Sequence, residues 1–190
     1  MFEKRKVFLL ETLSKFIGWL FKRISHEAFR EEDGEKVILW YELPFFAKFL
    51  GDGVLFLWDD RSLTPEARVN VIEYMEAICD DYRRLLLPKL NRKFTKPPPK
   101  LRCGIARGQI TSIGNGSDFV GPCINMASRL QKLEEGQFSF AATRKGFTPK
   151  GRSFRLIKIR IRGMTNPELV YVLKREFKQL PKRSRKKLLR

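Results

Sequence analysis

Apolar residues near the start of the chain recur every three or four positions, which is the spacing of one helix face. The segment from about Lys6 to Phe29 is therefore expected to be helical, with Lys15, Lys22 and Arg23 on its polar face. The apolar positions that define this face are Phe8, Leu9, Leu13, Phe16, Ile17, Leu20, Phe21 and Ile24.

Shorter apolar runs bounded by glycine and proline predict strands in the rest of the chain. Gly51-Asp52-Gly53 separates two of these runs and predicts a hairpin, and a second hairpin is expected to turn at Arg107-Gly108. A helix is expected to begin at Thr64-Pro65-Glu66, which combines an N-cap hydroxyl with a proline at the first helical position. The helix that begins at Thr64 is expected to run towards Leu90, and a further helix is expected over 122–133. The runs expected as strands are 36–43, 45–50, 54–58, 101–106, 109–113, 138–142, 154–161 and 169–173.

Strands and helices that alternate around hairpins indicate an α+β fold with helices on one face of the sheet. The length of 190 residues and the 43% hydrophobic content fit one globular domain, expected over residues 1–173. Residues 174–190 differ in composition, because nine Lys or Arg stand against one Glu. This basic C-terminal tail is expected to be a frayed, solvated end, and the alternative is a nucleic-acid or membrane-surface patch.

The net charge of +18 attracts polyanions such as nucleoside triphosphates, nucleic acid or anionic lipid.

The three cysteines, Cys79, Cys103 and Cys123, have no CxxC spacing and are expected to be reduced thiols. No secretory signal is recognisable, and no apolar run approaches the roughly 18 residues that a membrane span needs. A soluble, cytoplasmic protein is expected.

Asp52 in the first hairpin is open to two interpretations. Asp-Gly between apolar runs is a common turn signal and needs no function. Alternatively, the hairpin presents a carboxylate at one end of a sheet, where it binds a divalent ion that prefers hard oxygen ligands. Lys48 precedes this turn, and its side chain is either solvated or reaches a nucleotide base.

Asn125 and Arg129 lie four residues apart in a predicted helix and therefore share one face. The pair is either ordinary surface polarity or an amide for a ribose oxygen combined with a guanidinium for a phosphoryl group. Guanidinium suits phosphate because it stays charged and can bind two oxygens at once. Zinc-ligand spacing, a Walker phosphate loop and a Rossmann glycine signature are absent from the sequence.

Three stretches together resemble the class III nucleotidyl cyclases, the adenylate and guanylate cyclase homology domain. They are KFLGDGVLFLWD, LRCGIARGQITSIGNGSDFVGPCINMASRL and IRIRGMTNPELVYVL, and they cover most of residues 45–173 in the family's order. The resemblance implies a ferredoxin-like α+β fold with helices packed on an antiparallel-rich sheet. It also implies a head-to-tail homodimer whose active sites lie at the interface.

The resemblance assigns a role to each matching residue. Asp52 corresponds to a metal aspartate for Mn²⁺ or Mg²⁺, and Lys48 and Asp118 correspond to the base-reading positions. Asn125 corresponds to the residue that orients the ribose, and Arg129 to the group that stabilises the pentavalent phosphorus. The implied reaction is attack of the ribose 3′-hydroxyl on the α-phosphorus, with release of pyrophosphate.

Two positions depart from the family pattern. The family's first metal aspartate lies on a strand well before the glycine–aspartate hairpin, and no Asp precedes Asp33 here. The first strand is therefore expected to be missing, or the metal pair is incomplete, or another protomer completes it. Near the end, the family's Lys-Gly-Lys segment is replaced by Arg162-Gly163-Met164, which leaves Arg162 as the charged group for substrate.

The choice of nucleotide stays open at this point. Lys48 with Asp118 is the family's adenine-like combination, which favours ATP and cyclic AMP. The Leu-Trp-Asp end of the hairpin and the Gly-Pro-Cys-Ile-Asn helix start instead resemble the bacterial pyrimidine cyclases of Pycsar antiphage defence. That resemblance favours UTP, with the cyclic product acting on a separate cyclic-nucleotide-responsive effector.

Two alternatives of other classes remain. A cyclase-like subunit that binds nucleotide without turnover would explain the missing aspartate. A basic nucleic-acid-binding protein would explain the charge, although no docking motif accompanies it.

Overall fold

The computed structural model of the protein describes most of the chain, in two compact units that comprise residues 1–100 and 101–190. The backbone is described for residues 2–26, 29–32, 36–39, 42–94, 96–145, 147, 149, 153–161 and 164–188. Within these ranges, the side chains of residues 2–10, 26, 29–32, 36–39 and 134–135 are not described.

The described residues of the first unit form three α-helices, a π-helical turn and two hairpins. Its helices are α1 (Phe2–His26), α2 (Pro65–Asp81) and α3 (Leu87–Asn91), and a π-helical turn (Tyr82–Leu86) joins α2 to α3. Its antiparallel hairpins are β1 (Phe29–Glu32) with β2 (Lys36–Leu39), and β3 (Phe46–Phe49) with β4 (Val54–Leu57). None of the helices in the described part of the chain is long and apolar enough to cross a membrane.

Helix α2 begins where the capping pattern predicts. The Thr64 side chain accepts a hydrogen bond from the Ala67 amide at 3.1 Å, which satisfies a backbone donor that the first helical turn leaves open. Pro65 occupies the first turn, where its missing N–H costs nothing. The apolar side of the helix is buried, with Ile72 and Ile78 fully inaccessible.

Polar and aromatic contacts join α1 to α2 and to the π-helical turn. The Tyr74 hydroxyl donates to the Arg23 carbonyl oxygen at 2.6 Å, and the Arg23 guanidinium pairs with the Asp81 carboxylate. The rings of Phe16 and Trp19 each meet the Tyr82 ring edge-on, with centroids 6.1 Å apart. These contacts fix the long first helix along the second.

The hairpin predicted around Gly51-Asp52-Gly53 is confirmed, since β3 pairs with β4 from Phe46 opposite Leu57 to Phe49 opposite Val54. Phe56 on β4 packs against Phe21 of α1, with ring centroids 5.9 Å apart. The hairpin is therefore attached to the helical layer of its own unit through an aromatic contact.

The second unit is built on a four-stranded sheet in the order β5-β8-β10-β9, in which β5 is parallel to β8 and the other pairs are antiparallel. The sheet strands are β5 (Cys103–Ile105), β8 (Phe140–Thr143), β9 (Phe154–Ile159) and β10 (Glu168–Leu173). The other elements are a hairpin of β6 (Thr111–Ile113) and β7 (Asp118–Val120), helices α4 (Pro122–Leu130), α5 (Lys174–Gln179) and α6 (Lys182–Leu188), and a 3₁₀ turn (Leu133–Gly136).

The expected turn at Arg107-Gly108 is wrong. Strand β5 pairs with β8, and the hairpin in this region joins β6 to β7 through Gly114–Ser117. Gly114, Asn115 and Gly116 all have positive φ, a conformation that glycine and asparagine adopt most readily. The turn forms there because these three residues can reverse the chain. Gly108 instead lies close to the Cys123 side chain.

The expectation of a frayed C-terminal end is also wrong for residues 174–188. These residues form α5 and α6, and Phe177, Leu180 and Leu188 are at most 5% exposed. They belong to the buried cluster of the second unit, which also contains Met126 and Leu130 of α4. Apolar residues among the lysines and arginines thus attach the basic segment to the sheet.

Helix α4 lies unusually close to β5. A Cβ atom placed on Gly104 would lie 2.1 Å from the Ala127 carbonyl oxygen and 3.0 Å from the Leu130 Cβ. Because the nearest atom belongs to the backbone of the helix, no side-chain rotation could relieve the overlap. Gly104 therefore sets the distance between helix and strand.

We expect Gly104→Ala to destabilise the protein by about 1–3 kcal/mol, because α4 must move away from β5 to admit the methyl group. Gly18→Ala is the matched control. Gly18 lies exposed within α1, and a methyl group added there would meet no atom within 4 Å, so alanine should stabilise by about 0.5–1 kcal/mol. Urea denaturation followed by circular dichroism measures both, and an unchanged midpoint for Gly104→Ala would contradict the close contact.

Candidate nucleotide-binding residues

Asp52 lies exposed at the tip of the β3–β4 hairpin. The Leu50 amide donates to the Gly53 carbonyl oxygen at 2.8 Å and closes the four-residue loop. Gly51 has φ +93°, a value that a residue with a side chain adopts only with strain. The loop therefore holds its one carboxylate in solvent, at a position defined by the strands on either side.

Lys48 lies on β3 opposite Leu55 and is half-buried. Its strand neighbours Ala47 and Phe49 are exposed, whereas Phe46, two positions away, is half-buried. Since alternate residues of a strand share a face, Lys48 lies on the more protected face of this hairpin. Its aliphatic stem can pack there while its ammonium group reaches the edge.

Asn125 and Arg129 are both exposed on α4, as the helical spacing predicts. Met126 and Leu130 on the other side of the helix are 6% and 1% exposed and pack into the core of the second unit. One side of α4 is thus fixed to the sheet, and the other presents an amide and a guanidinium. The two polar groups share a face because they lie one helical turn apart.

The start of α4 is held by the close approach of two glycines, which the sequence pattern did not predict. A Cβ atom on Gly121 would lie 2.5 Å from the Gln109 carbonyl oxygen, and one on Gly108 would lie 2.9 Å from the Cys123 Cβ. The Cys123 thiol donates to the Gln109 carbonyl oxygen at 3.5 Å. In the sequence, these contacts are indicated only by the spacing of the glycines, and the same spacing is compatible with a turn.

Asp118 is the first residue of β7 and lies opposite Ile113. The side chain is half-buried, and its Oδ1 accepts a hydrogen bond from the Phe119 amide at 2.8 Å. This bond holds the carboxylate at the end of the strand. A carboxylate positioned in this way can accept hydrogen bonds from a base.

The candidate residues fall in both units of the chain. Lys48 and Asp52 belong to the first unit, and Asp118, Asn125 and Arg129 belong to the second. Arg162, expected to contact substrate, lies outside the described residues.

An exposed carboxylate such as Asp52 fits one ligand position of Mg²⁺ or Mn²⁺, because these ions take hard oxygen donors. No group of three or more histidine, cysteine or acidic side chains that could hold a metal occurs among the described residues. Substrate oxygens and water would then supply most of the ligands of an ion held by Asp52. Such sites are usual for magnesium bound with nucleotide phosphates.

The sequence matches no protein-family model and no curated protein. Among solved structures, the fold is similar to that of the adenylyl cyclase CyaB from P. aeruginosa. The TM-score is 0.57 and the sequence identity is 17%, with 90% of this chain and 82% of that chain covered. The predicted α+β, cyclase-like fold class is thereby confirmed.

The environment of Cys123 gives a testable consequence. Burial raises the pKa of the Cys123 thiol, so the thiolate is scarce at neutral pH and the side chain is a poor nucleophile. We expect iodoacetamide to alkylate Cys123 at least about tenfold more slowly in the folded protein than in urea. In the folded protein the alkylation rate should increase only at a pH above the usual pKa of cysteine. Peptide mass spectrometry measures this rate. Equal rates in folded and unfolded protein would contradict the assignment of Cys123 as a packing residue.

Proposed function

We propose that this protein is a nucleotidyl cyclase, which converts a nucleoside triphosphate into its 3′,5′-cyclic monophosphate and pyrophosphate. The observation that carries the proposal is the pair Asn125 and Arg129 on the exposed face of α4. That helix is fixed to β5 at Gly104 in a chain whose fold is similar to an adenylyl cyclase. An amide and a guanidinium held in this way can orient a ribose and a phosphoryl group together.

In the proposed reaction the ribose 3′-oxygen forms a bond to the α-phosphorus. The bond from that phosphorus to the bridging oxygen of the β-phosphate breaks, and pyrophosphate leaves with the electron pair. The 3′-hydroxyl proton passes to water. The Asn125 amide orients the ribose, and the Arg129 guanidinium supplies positive charge to the phosphoryl oxygens as their negative charge increases.

Asp52 is the proposed carboxylate ligand of a divalent ion, Mn²⁺ or Mg²⁺. When bound, the ion supplies positive charge to the triphosphate oxygens. Asp52 is the single carboxylate assigned to this ion, since no group of three or more histidine, cysteine or acidic side chains that could hold a metal occurs among the described residues. Its role is therefore to fix where the metal-bearing phosphates lie.

We propose a homodimer in which Asp52 of one protomer and Asn125 and Arg129 of the other share a substrate. Large exposed apolar side chains beside Asp52 and beside Asp118 support this assembly. Phe49 and Leu50, next to Asp52, are 45% and 56% exposed. Ile113 and Val120, on the hairpin that carries Asp118, are 48% and 49% exposed. Apolar groups in solvent at both places favour burial against another surface.

UTP is the proposed substrate, with Lys48 and Asp118 reading the base. The resemblance to pyrimidine cyclases supports this choice, and it also supports a role in antiphage defence through a separate effector. ATP is the second candidate, because an ammonium and a carboxylate can also serve the amino group and ring nitrogen of adenine. The third candidate function is a subunit that binds nucleotide without turnover. It is favoured because Asp52 is the single metal carboxylate assigned.

The first test measures cyclic product by mass spectrometry after incubation with each of the four nucleoside triphosphates and Mn²⁺. We expect cyclic UMP as the main product, and about a 100-fold to 1000-fold loss of turnover in Asn125→Ala and Arg129→Ala. Lys132→Ala, which removes an exposed cation just beyond the same helix, should keep its activity. No product from any triphosphate would exclude the enzyme, and full activity in Arg129→Ala would exclude the assigned site.

The second test separates a shared site from one built within a single chain. Asp52→Asn and Arg129→Ala should each be inactive alone, whereas a mixture should recover about a quarter of wild-type activity. Half of the randomly formed dimers are then heterodimers, each with one intact site of two. A mixture that stays as inactive as either variant, although mass spectrometry shows that heterodimers form, would contradict the composite site.

A further inference from the structure

The two C-terminal helices carry a short sequence repeat. The pattern Lys-Arg-x-x-Lys-x-Leu occupies residues 174–180 and occurs again over residues 182–188, with Pro181 between the two copies. Successive residues of an α-helix are about 100° apart, so the three cations of each copy fall within an arc of roughly 100°. The leucine of each copy lies on the opposite side. Each copy therefore has one cationic side and one apolar side.

The structure follows this division in both copies. Helices α5 and α6 both contact β9, and Leu180 and Leu188 are 5% and 3% exposed within the buried cluster of the second unit. The cations of both copies are exposed instead. These six side chains form what we call the basic helical face: Lys174, Arg175, Lys178, Lys182, Arg183 and Lys186. Because the leucines attach each helix to the sheet, the six cations are carried by ordered backbone.

The basic helical face is not balanced by acidic side chains of the same segment. Glu176 is the only acid between residues 174 and 190. It is half-buried, and its Oε2 accepts a hydrogen bond from the Ser139 amide at 2.9 Å. Glu176 therefore serves the packing of α5, and the exposed side of the two helices carries a positive charge that attracts an extended anion.

The surroundings argue against two such anions. A membrane-binding helix needs an exposed apolar face, and the described residues of α5 and α6 expose no large apolar side chain. A single-stranded nucleic acid is bound largely by stacking of its bases on aromatic rings. Phe177 is the only aromatic residue between 174 and 190, and it is 3% exposed and covered by the Arg155 guanidinium. It offers no stacking platform.

A DNA duplex fits the basic helical face better than either. Its backbone carries one negative charge per about 1.7 Å of helix axis. Lysine and arginine bind these phosphates without any contact to the bases. Cations four residues apart, such as Lys182 and Lys186, lie about 6 Å apart along a helix and can therefore reach separate phosphates.

We propose that the basic helical face binds the phosphate backbone of double-stranded DNA without reading its sequence. The face belongs to α5 and α6, whereas Asn125 and Arg129 lie on α4, so this activity is additional to the proposed substrate site. It does not depend on cyclisation, and a chain that makes no cyclic nucleotide would bind DNA equally well.

The test is the salt dependence of binding, measured by fluorescence anisotropy with the full chain and a labelled DNA duplex of mixed sequence. If about five phosphates are neutralised, the logarithm of the association constant should fall with the logarithm of the salt concentration with a slope of about −4 to −5. The combined variant Lys178→Gln, Lys182→Gln and Lys186→Gln removes three lysines of the face. We expect its slope to be shallower by about 3, and its Kd at about 0.1 M salt to be at least about tenfold weaker.

The matched control combines Lys22→Gln, Lys89→Gln and Lys93→Gln, which replace three exposed lysines of the first unit. It lowers the net charge of +18 by the same amount. We expect its Kd to change by less than about threefold, because net charge without a direct phosphate contact is largely screened at this salt concentration. Both variants should keep the wild-type melting temperature within a few degrees, since all the replaced side chains are exposed.

Equal weakening by both variants would show attraction by net charge alone and overturn the proposal, as would failure of the wild-type chain to bind the duplex. Tighter binding of a single strand of the same sequence would show a stacking site instead. Vesicles that contain phosphatidylserine provide the last arm. Release of the protein from these vesicles by the duplex supports DNA binding, whereas protein that stays on them in excess duplex would show a membrane surface.

Discussion

The contact on which the second unit depends is the approach of the Gly104 backbone to the Ala127 carbonyl oxygen. The 2.1 Å separation that a Cβ would have there leaves no room for any side chain. Gly121 repeats this arrangement at the helix start, against the Gln109 carbonyl oxygen, and Gly108 leaves room for the Cys123 Cβ. Helix α4 therefore packs closely against β5 and against residues 108–110, which follow that strand. Met126 and Leu130 complete the buried side of the helix.

This constraint has a chemical consequence. Asn125 and Arg129 have flexible side chains, but the helix that carries them is fixed at its start and along its length. Groups that stabilise a transition state are effective when their positions are set before the reaction. The Asp52 carboxylate is positioned by a different device, a closed hairpin loop with a positive-φ glycine. Both halves of the proposed site therefore rest on glycines rather than on buried ion pairs.

Much of this arrangement follows from sequence pattern. The Thr64-Pro65 helix start, the Asp52 hairpin and the shared face of Asn125 and Arg129 were predictable because each depends on local spacing. Pairing of β5 with β8 was not, since it joins segments about 37 residues apart and leaves no local signal. The turn was misplaced because Gly108 and Gly114 look alike in sequence, although one avoids a steric clash and the other reverses the chain.

The basic C-terminal segment was expected to be disordered but is helical and packed on the sheet. A run of lysines and arginines indicates a solvated end by composition, but Phe177, Leu180 and Leu188 recur at positions that reach the core. Burial of these three residues attaches both helices to the sheet and leaves most of the cations between them exposed. Composition alone could not show this, because the outcome depends on which side chains α5 and α6 turn towards β9.

The most direct measurement of the shared site is a crystal structure with a 3′-deoxynucleoside triphosphate and Mn²⁺, since this ligand lacks the attacking hydroxyl and cannot cyclise. We expect its α-phosphate within hydrogen-bonding distance of Arg129 from one protomer, and its metal on Asp52 from the other. A triphosphate bound to both residues of the same chain, or to neither, would contradict a site formed between two copies.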